Sequence, residues 1–261
     1  MDGGTIPVEI LDSTPSTMDA AREWVVSRRF AAGTGAVACA CVMAREQTAG
    51  RGQRGRAWFA ARDESLCATY TLHCPGVTEP SSAGLVALAA GVAVASALLL
   101  YEVPGVVGLK WPNDVLLNGK KAGGGLVEMM RSPGGLWIAL VGVGLNVSVR
   151  QFPADLASTA TSLLLEGVDL AALPDLERLA RDIGDSLSSW AYRCLPDYHA
   201  LIHMWRHFDA TSGRRYETEW NGVPVIGTAE GIDDEGALLL RLDSGMLVAV
   251  TSASTLREIL G

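Results

Sequence analysis

The 261-residue chain is long enough to bury a full core, and 49% apolar against 19% charged residues marks it as globular rather than disordered. Its net charge of −8 excludes a general affinity for nucleic acid or anionic lipid and makes any local basic cluster informative. Five widely spread cysteines (Cys39, Cys41, Cys67, Cys74 and Cys194), without a CxxC pair, read as reduced and mostly buried thiols of a cytoplasmic protein. The N-terminal "MDGGTIPVEILDSTPS" has no basic residue and no apolar run, so it is not read as a signal peptide.

In chain order, Glu9–Leu11 reads as a short strand. "STPSTMDAAREWVVSRRF" follows as a helix, with Ser16 or Thr17 as N-cap. "GAVACACVMA" and "SLCATYTLHC" read as strands on either side of "QTAGRGQRGRAW", which crowds Arg51, Arg54 and Arg56 among glycines. The uncharged stretch from Ser81 to Tyr101 has the length of a membrane span, but its Ala, Gly and Val content and the lack of basic flanks predict a buried helix packed on a sheet. "LLNGKK" predicts a hairpin, since Asn-Gly supplies the positive φ angles of a two-residue turn. "GLWIALVGVGLNVSV" is a further strand, and residues 173–209 read as largely helical. From about Arg214 short strands and turns predict a small β-barrel-like domain.

"GRGQRG" fits G-x-G-x-x-G, but a polar "REQTA" separates it from the strand and "RAWFAARDE" opens no helix, so the dinucleotide reading fails. A flexible loop remains whose arginines and glycine amides can hold phosphate, or which is a solvated charged turn. The chain has only three lysines, Lys110, Lys120 and Lys121, gathered around "KWPND" and the hairpin, where a compact point charge can face a single oxygen. Adjacent strand residues face opposite ways, so at most one of Lys120 and Lys121 is expected to look into a site. Asp114 either binds a magnesium ion that bridges phosphates or caps the turn after Pro112. His199, His203 and His207 lie at i, i+4 and i+8; with no acid or cysteine beside them, a satisfied or solvent-facing stripe is expected rather than a metal site.

Taken together, "QTAGRGQRGRAW", "KWPNDVLLNGKKAGGGLVE" and "VGVGLNV", in this order and spacing, resemble the biotin–protein ligases over nearly the whole chain. The resemblance implies an α+β fold, a mixed sheet flanked by helices related to class II aminoacyl-tRNA synthetases, with residues 1–212 catalytic and 213–261 a C-terminal SH3-like barrel. It implies that biotin and ATP, with Mg2+, form biotinyl-5′-AMP, and that the biotinyl group passes to a lysine of a biotin carboxyl carrier domain. The implied biotin site is Ser16, Thr17, Met18, Gln47, Gly50, Arg51, Gly52, Gln53, Lys121 and Gly124. ATP and adenylate would meet Arg51, Arg54, Arg56, Trp58, Lys110, Asn113, Asp114 and Asn146, with Lys121 and Arg51 catalytic and Asp114 on the metal. Met18 and Gln53 stand where a polar residue and Arg are common in the family. Ser13-Thr14 is an alternative register for Ser16-Thr17. The chain begins at the expected catalytic strand, so no winged helix-turn-helix and no DNA partner are expected; a homodimer is left open. The rivals are a lipoate–protein ligase, whose Arg-rich motif with a glycine run and a histidine is missing here, and a non-catalytic biotin-binding regulator.

Overall fold

The computed structural model describes residues 6–28, 38–73, 80–193, 198–251 and 256–259. Strand β1 (Val8–Leu11) leads into helix α1 (Thr17–Arg28), whose N-cap is Ser16, its Oγ accepting from the Met18 amide at 3.3 Å. Strands β2 (Ala38–Ala44) and β3 (Ser65–His73) then flank the basic loop. Helix α2 (Ala83–Leu100) precedes β4 (Val107–Lys110), β5 (Asp114–Leu117), β6 (Lys120–Arg131) and β7 (Trp137–Asn146). The seven strands form one mixed sheet in the order β1-β2-β3-β7-β6-β5-β4, with β1 and β2 parallel and every other pair antiparallel.

The sheet is covered on both faces. On one side Met18, Ala21 and Val25 of α1 pack on Val42, Ile138 and Leu140. On the other, α2 and helices α3 (Leu176–Arg193) and α4 (His199–His207) close the main core with Leu66, Tyr70, Val141 and Leu145. Helix α2 has the composition of a membrane span and is 67% buried in this core. An all-round apolar helix is what a fully enclosed position requires. Asn118 and Gly119 of the β5–β6 turn have φ angles of 51° and 81°, the positive pair that the Asn-Gly signal demands.

A second sheet comprises β8 (Arg215–Trp220), β9 (Val223–Ile232), β10 (Leu238–Leu242), β11 (Leu247–Val250) and β12 (Leu256–Glu258), ordered β11-β10-β9-β8-β12 and antiparallel throughout. It is fastened to the first at "KWPND", where the buried Trp111 donates its indole N–H to Gly236 O at 3.0 Å and its amide to Thr211 Oγ1 at 2.8 Å. His199, His203 and His207 face solvent on α4, and no cluster of three metal-ligating side chains occurs among the described residues. The Cys41 and Cys67 side chains are buried. Cys74, Cys194 and the Cys39 side chain lie outside the described residues.

Candidate functional site

Strand register builds the floor of the site. Directly opposed residues of antiparallel strands share a face, so three rows run across the sheet beneath α1 and the basic loop. The first row is Thr69 (β3), Gly142 (β7) and Leu126 (β6). The second is Cys67, Gly144, Gly124 and, on β5, Asp114. The third begins with Ser65 and Asn146. These rows underlie a cavity of about 560 Å³.

At the Thr69 end, the Gln47 side chain is held by α1. Its Oε1 accepts from the Thr17 amide at 2.8 Å and from Thr17 Oγ1 at 3.0 Å, while Thr69 Oγ1 donates to Thr17 Oγ1 at 2.8 Å. Ser16, Thr17, Met18 and Gln47 line the cavity, whereas Ser13 and Thr14 do not. A Cβ on Gly142 would stand 2.9 Å from Met18 Sδ, so this glycine makes room for the thioether.

In the middle row Gly144 does the same for the loop. A Cβ there would lie 2.3 Å from an atom of the Trp58 indole, so the ring occupies a slot that only glycine leaves open. The indole N–H is buried with no conventional acceptor, beside the Cys67 thiol. Burial pushes that thiol up to about 12, against hydrogen bonds from Gln47 and Trp58. Gly50 is buried and does not reach the cavity wall. Its role is local: its carbonyl accepts from the Trp58 amide at 2.9 Å, and a Cβ would meet Trp58 O at 2.8 Å. Arg51, Gly52, Gln53, Arg56 and Trp58 all border the cavity. The Arg54 side chain lies outside the described residues.

Three of the cations in the wall, Arg51, Lys121 and Lys110, are each countered by a carboxylate. Arg51 grips Asp19 of α1 through two bonds of 3.0 and 2.7 Å, and Asp19 raises its pKa. Lys121 Nζ lies 2.5 Å from Asp114 Oδ1 and 5.8 Å from the Trp58 ring centre. Lys110 binds Glu258 of β12 at 2.7 Å. Lys120 also touches the wall, contrary to the expectation that only one of the adjacent lysines would. Gly119 of the hairpin turn borders the cavity as well, so the wall wraps round the end of the hairpin and takes in both lysines. Asn113 also borders the cavity; its side-chain amide donates to Gly125 O, and its backbone carbonyl accepts the Gly125 amide at 2.9 Å. Gly124 keeps the space between Asp114 and Lys121 clear, since a Cβ would touch both at 3.4 Å.

In the third row Asn146, 3% exposed, donates to Thr161 O at 3.0 Å, leaving its Oδ1 as a fixed acceptor without a partner. The paired rings of Phe59 and Phe152, 5.9 Å apart, form the apolar wall nearby. Asp19, Phe59, Phe152, Arg214 and Glu258 were not found from the sequence. Asp19 carries a local signal, an acid beside the Ser-Thr pair, but Glu258 reaches Lys110 across 148 positions and carries none.

This architecture is that of the biotin and lipoate ligases. The biotin/lipoate A/B protein ligase family matches residues 26–146, and the biotin protein ligase C terminal domain matches residues 221–254. The chain is 36% identical to the biotin–[acetyl-CoA-carboxylase] ligase of Mycobacterium tuberculosis, over 81% of this chain and 76% of that one. It is 31% identical to the enzyme of the same description from Paracoccus denitrificans, over 80% and 87% of the two chains. Its fold matches the biotin protein ligase from Aquifex aeolicus, solved with biotin and ATP, at a TM-score of 0.77 and 22% identity, over 97% and 99% of the chains. The chain belongs to the biotin protein ligase family.

Proposed function

We propose that this chain activates biotin with ATP as biotinyl-5′-AMP and transfers the biotinyl group to a lysine of a biotin carboxyl carrier domain in a biotin-dependent carboxylase. The observation that carries this reading is a single cavity with a polar amide cradle at the Gln47 end, fixed cations in the middle and a lone acceptor at the Asn146 end. The match of the C-terminal sheet to the biotin-ligase domain favours biotin over lipoate. The buried Cys67 thiol, outside any disulfide, agrees with a reducing, cytoplasmic location.

In the first step a biotin carboxylate oxygen attacks the α-phosphorus and pyrophosphate leaves. Negative charge gathers there, and Lys121 and Arg51 are placed to neutralise it once their carboxylate partners yield. A magnesium ion, when bound, would supply further neutralisation of the phosphates. Asp114 would hold it together with phosphate oxygens, since this ion needs only one or two protein carboxylates. In the second step the carrier amine attacks the mixed anhydride and AMP leaves. Trp58, seated over Gly144, holds the loop across the intermediate and shields it from water.

The test is ATP- and biotin-dependent labelling of a biotin carrier domain by wild type, Lys121→Ala and Lys120→Ala. The expected result is loss of labelling by about 10²–10³-fold for Lys121→Ala alone, the range for one transition-state charge partner. Equal labelling by all three refutes the lysine assignment. Biotin binding without labelling by the wild type refutes the ligase and supports a regulator.

A further inference from the structure

At the magnesium side of the cavity, the two sheets bring together charged groups that the scheme above leaves unused. Strand β12 places Glu258 on the wall between two cations. Its Oε2 accepts from Lys110 Nζ at 2.7 Å and its Oε1 from Arg214 Nη1 at 2.9 Å, and all three residues border the cavity. Burial pushes the Glu258 carboxyl up, but Lys110 and Arg214 together hold it below the usual carboxylate range. Tyr216 stands opposite Glu258 on β8, with its ring centre 5.4 Å from Lys110 Nζ. The Tyr216 hydroxyl is wholly buried and unpartnered in the protein, and Glu258, Arg214, Asp209 and Asp114 all act on it electrostatically. Lys110 stands opposite Asp114 in the register of β4 and β5, which sets the cluster next to the Lys121–Asp114 pair.

Two cations around one carboxylate on the cavity wall make up the donor set of a phosphate seat, filled here by a side chain. A staple between the sheets explains the ion pairs but not their opening onto the cavity.

We propose that Lys110 and Arg214 seat the leaving pyrophosphate, and that Glu258 is its displaceable stand-in. The proposal rests on the adenylation reading. In that step a carboxylate oxygen bonds to the α-phosphorus, the α–β bridging P–O bond breaks, and its electron pair leaves with pyrophosphate; no proton moves. The new dianionic end needs neutralising where Lys110 and Arg214 stand. As pyrophosphate departs, Glu258 returns, so a residue of the second sheet sets how firmly the product is held.

The experiment is calorimetric titration of the full chain with inorganic pyrophosphate in wild type, Glu258→Gln and Arg214→Ala, with biotin titrated in parallel and adenylate formation assayed. Removing the competing charge in Glu258→Gln is expected to tighten pyrophosphate about three- to tenfold, and Arg214→Ala to weaken it by a similar factor, as for single partly screened charges. Biotin binding at the far end of the cavity reports that each variant is folded. Pyrophosphate affinity that is unchanged in both, or weaker in Glu258→Gln, overturns the proposal. Should Glu258→Gln lose biotin as well, Arg214→Ala decides alone, and unchanged affinity there overturns it. Normal adenylate formation with ungraded pyrophosphate binding removes the seat and leaves the ligase. Graded binding without adenylate removes the ligase reading and leaves an anion seat.

Discussion

Replacing Gly144 by alanine puts a methyl group 2.3, 2.5 and 2.7 Å from three atoms of the Trp58 indole. No rotation of a rigid ring relieves three such contacts, so either strand β7 or the ring must move. Strand β7 is bonded on both sides, to β3 and β6, whereas Trp58 sits on a half-buried loop; the ring is the part that yields. The cost of such overpacking is about 1–3 kcal/mol. Because the ring closes the loop, that cost appears as about 5- to 150-fold faster loss of the bound adenylate, at 1.4 kcal/mol per tenfold, with little change in melting temperature. The assay is release of radiolabelled biotinyl-adenylate, beside Gly142→Ala as control. There the added carbon meets Met18 Sδ at 2.9 Å, the end of a flexible side chain that can turn aside cheaply. In a Trp58→Ala background, Gly144→Ala is expected to add less than about 0.5 kcal/mol, since the obstacle is gone. Equal retention by Gly144→Ala and wild type, equal loss by Gly142→Ala, or simple additivity with Trp58→Ala would each refute the slot.

Two further outcomes test the frame around the site. Asn118 holds the hairpin at positive φ, accepts from the Val106 amide at 2.9 Å and donates to Glu166 at 2.7 Å; Asn118→Ala is expected to cost about 1–3 kcal/mol, read as a lower urea midpoint at unchanged m-value. Cys67 keeps its proton in the folded chain up to about 12 but loses it near 9.0 when exposed, so the unfolded state binds fewer protons between these values and stability falls as pH rises through that window. The difference in unfolding free energy between wild type and Cys67→Ala is expected to shrink by up to about 1.4 kcal/mol per pH unit above 9, and a difference flat to pH 11 would refute the burial assigned to this thiol.

What the sequence made legible was what is encoded locally. The Asn-Gly turn, the Ser16 cap and the all-round apolar helix α2 each declare themselves within a few residues, because one dihedral, one hydrogen bond or one buried surface decides them. The glycines of "VGVG" read only as part of a strand, since a strand tolerates glycine for several reasons. Their meaning, clearance for Met18 and Trp58, depends on residues 86 or more positions away. Gly50 belongs to a motif that sequence alone assigns to ligands, yet it lies off the cavity wall and its contacts serve the loop. The wall from the second sheet was invisible for the same reason: nothing near Glu258 announces Lys110.

The electrostatics explain how a chain of net charge −8 keeps a seat for a polyanion. Arg51, Lys121 and Lys110 each meet a carboxylate, from Asp19, Asp114 and Glu258 respectively. An arginine or lysine left bare on a half-enclosed wall would repel its neighbours and bind any passing anion. A paired one is neutral until a better ligand arrives. The exchange is feasible only if each pair is weak, and partly exposed pairs are worth about 0–1 kcal/mol. The side chains of Arg51 and Asp19 are 40% and 48% exposed and those of Lys110 and Glu258 only 21% and 19%, so the Glu258 pair is the hardest to open. On the proposed reaction, the Arg51 end therefore exchanges readily while the pyrophosphate end exchanges against a firmer internal competitor. That asymmetry favours release of pyrophosphate while the adenylate stays, which is the order a two-step transfer requires.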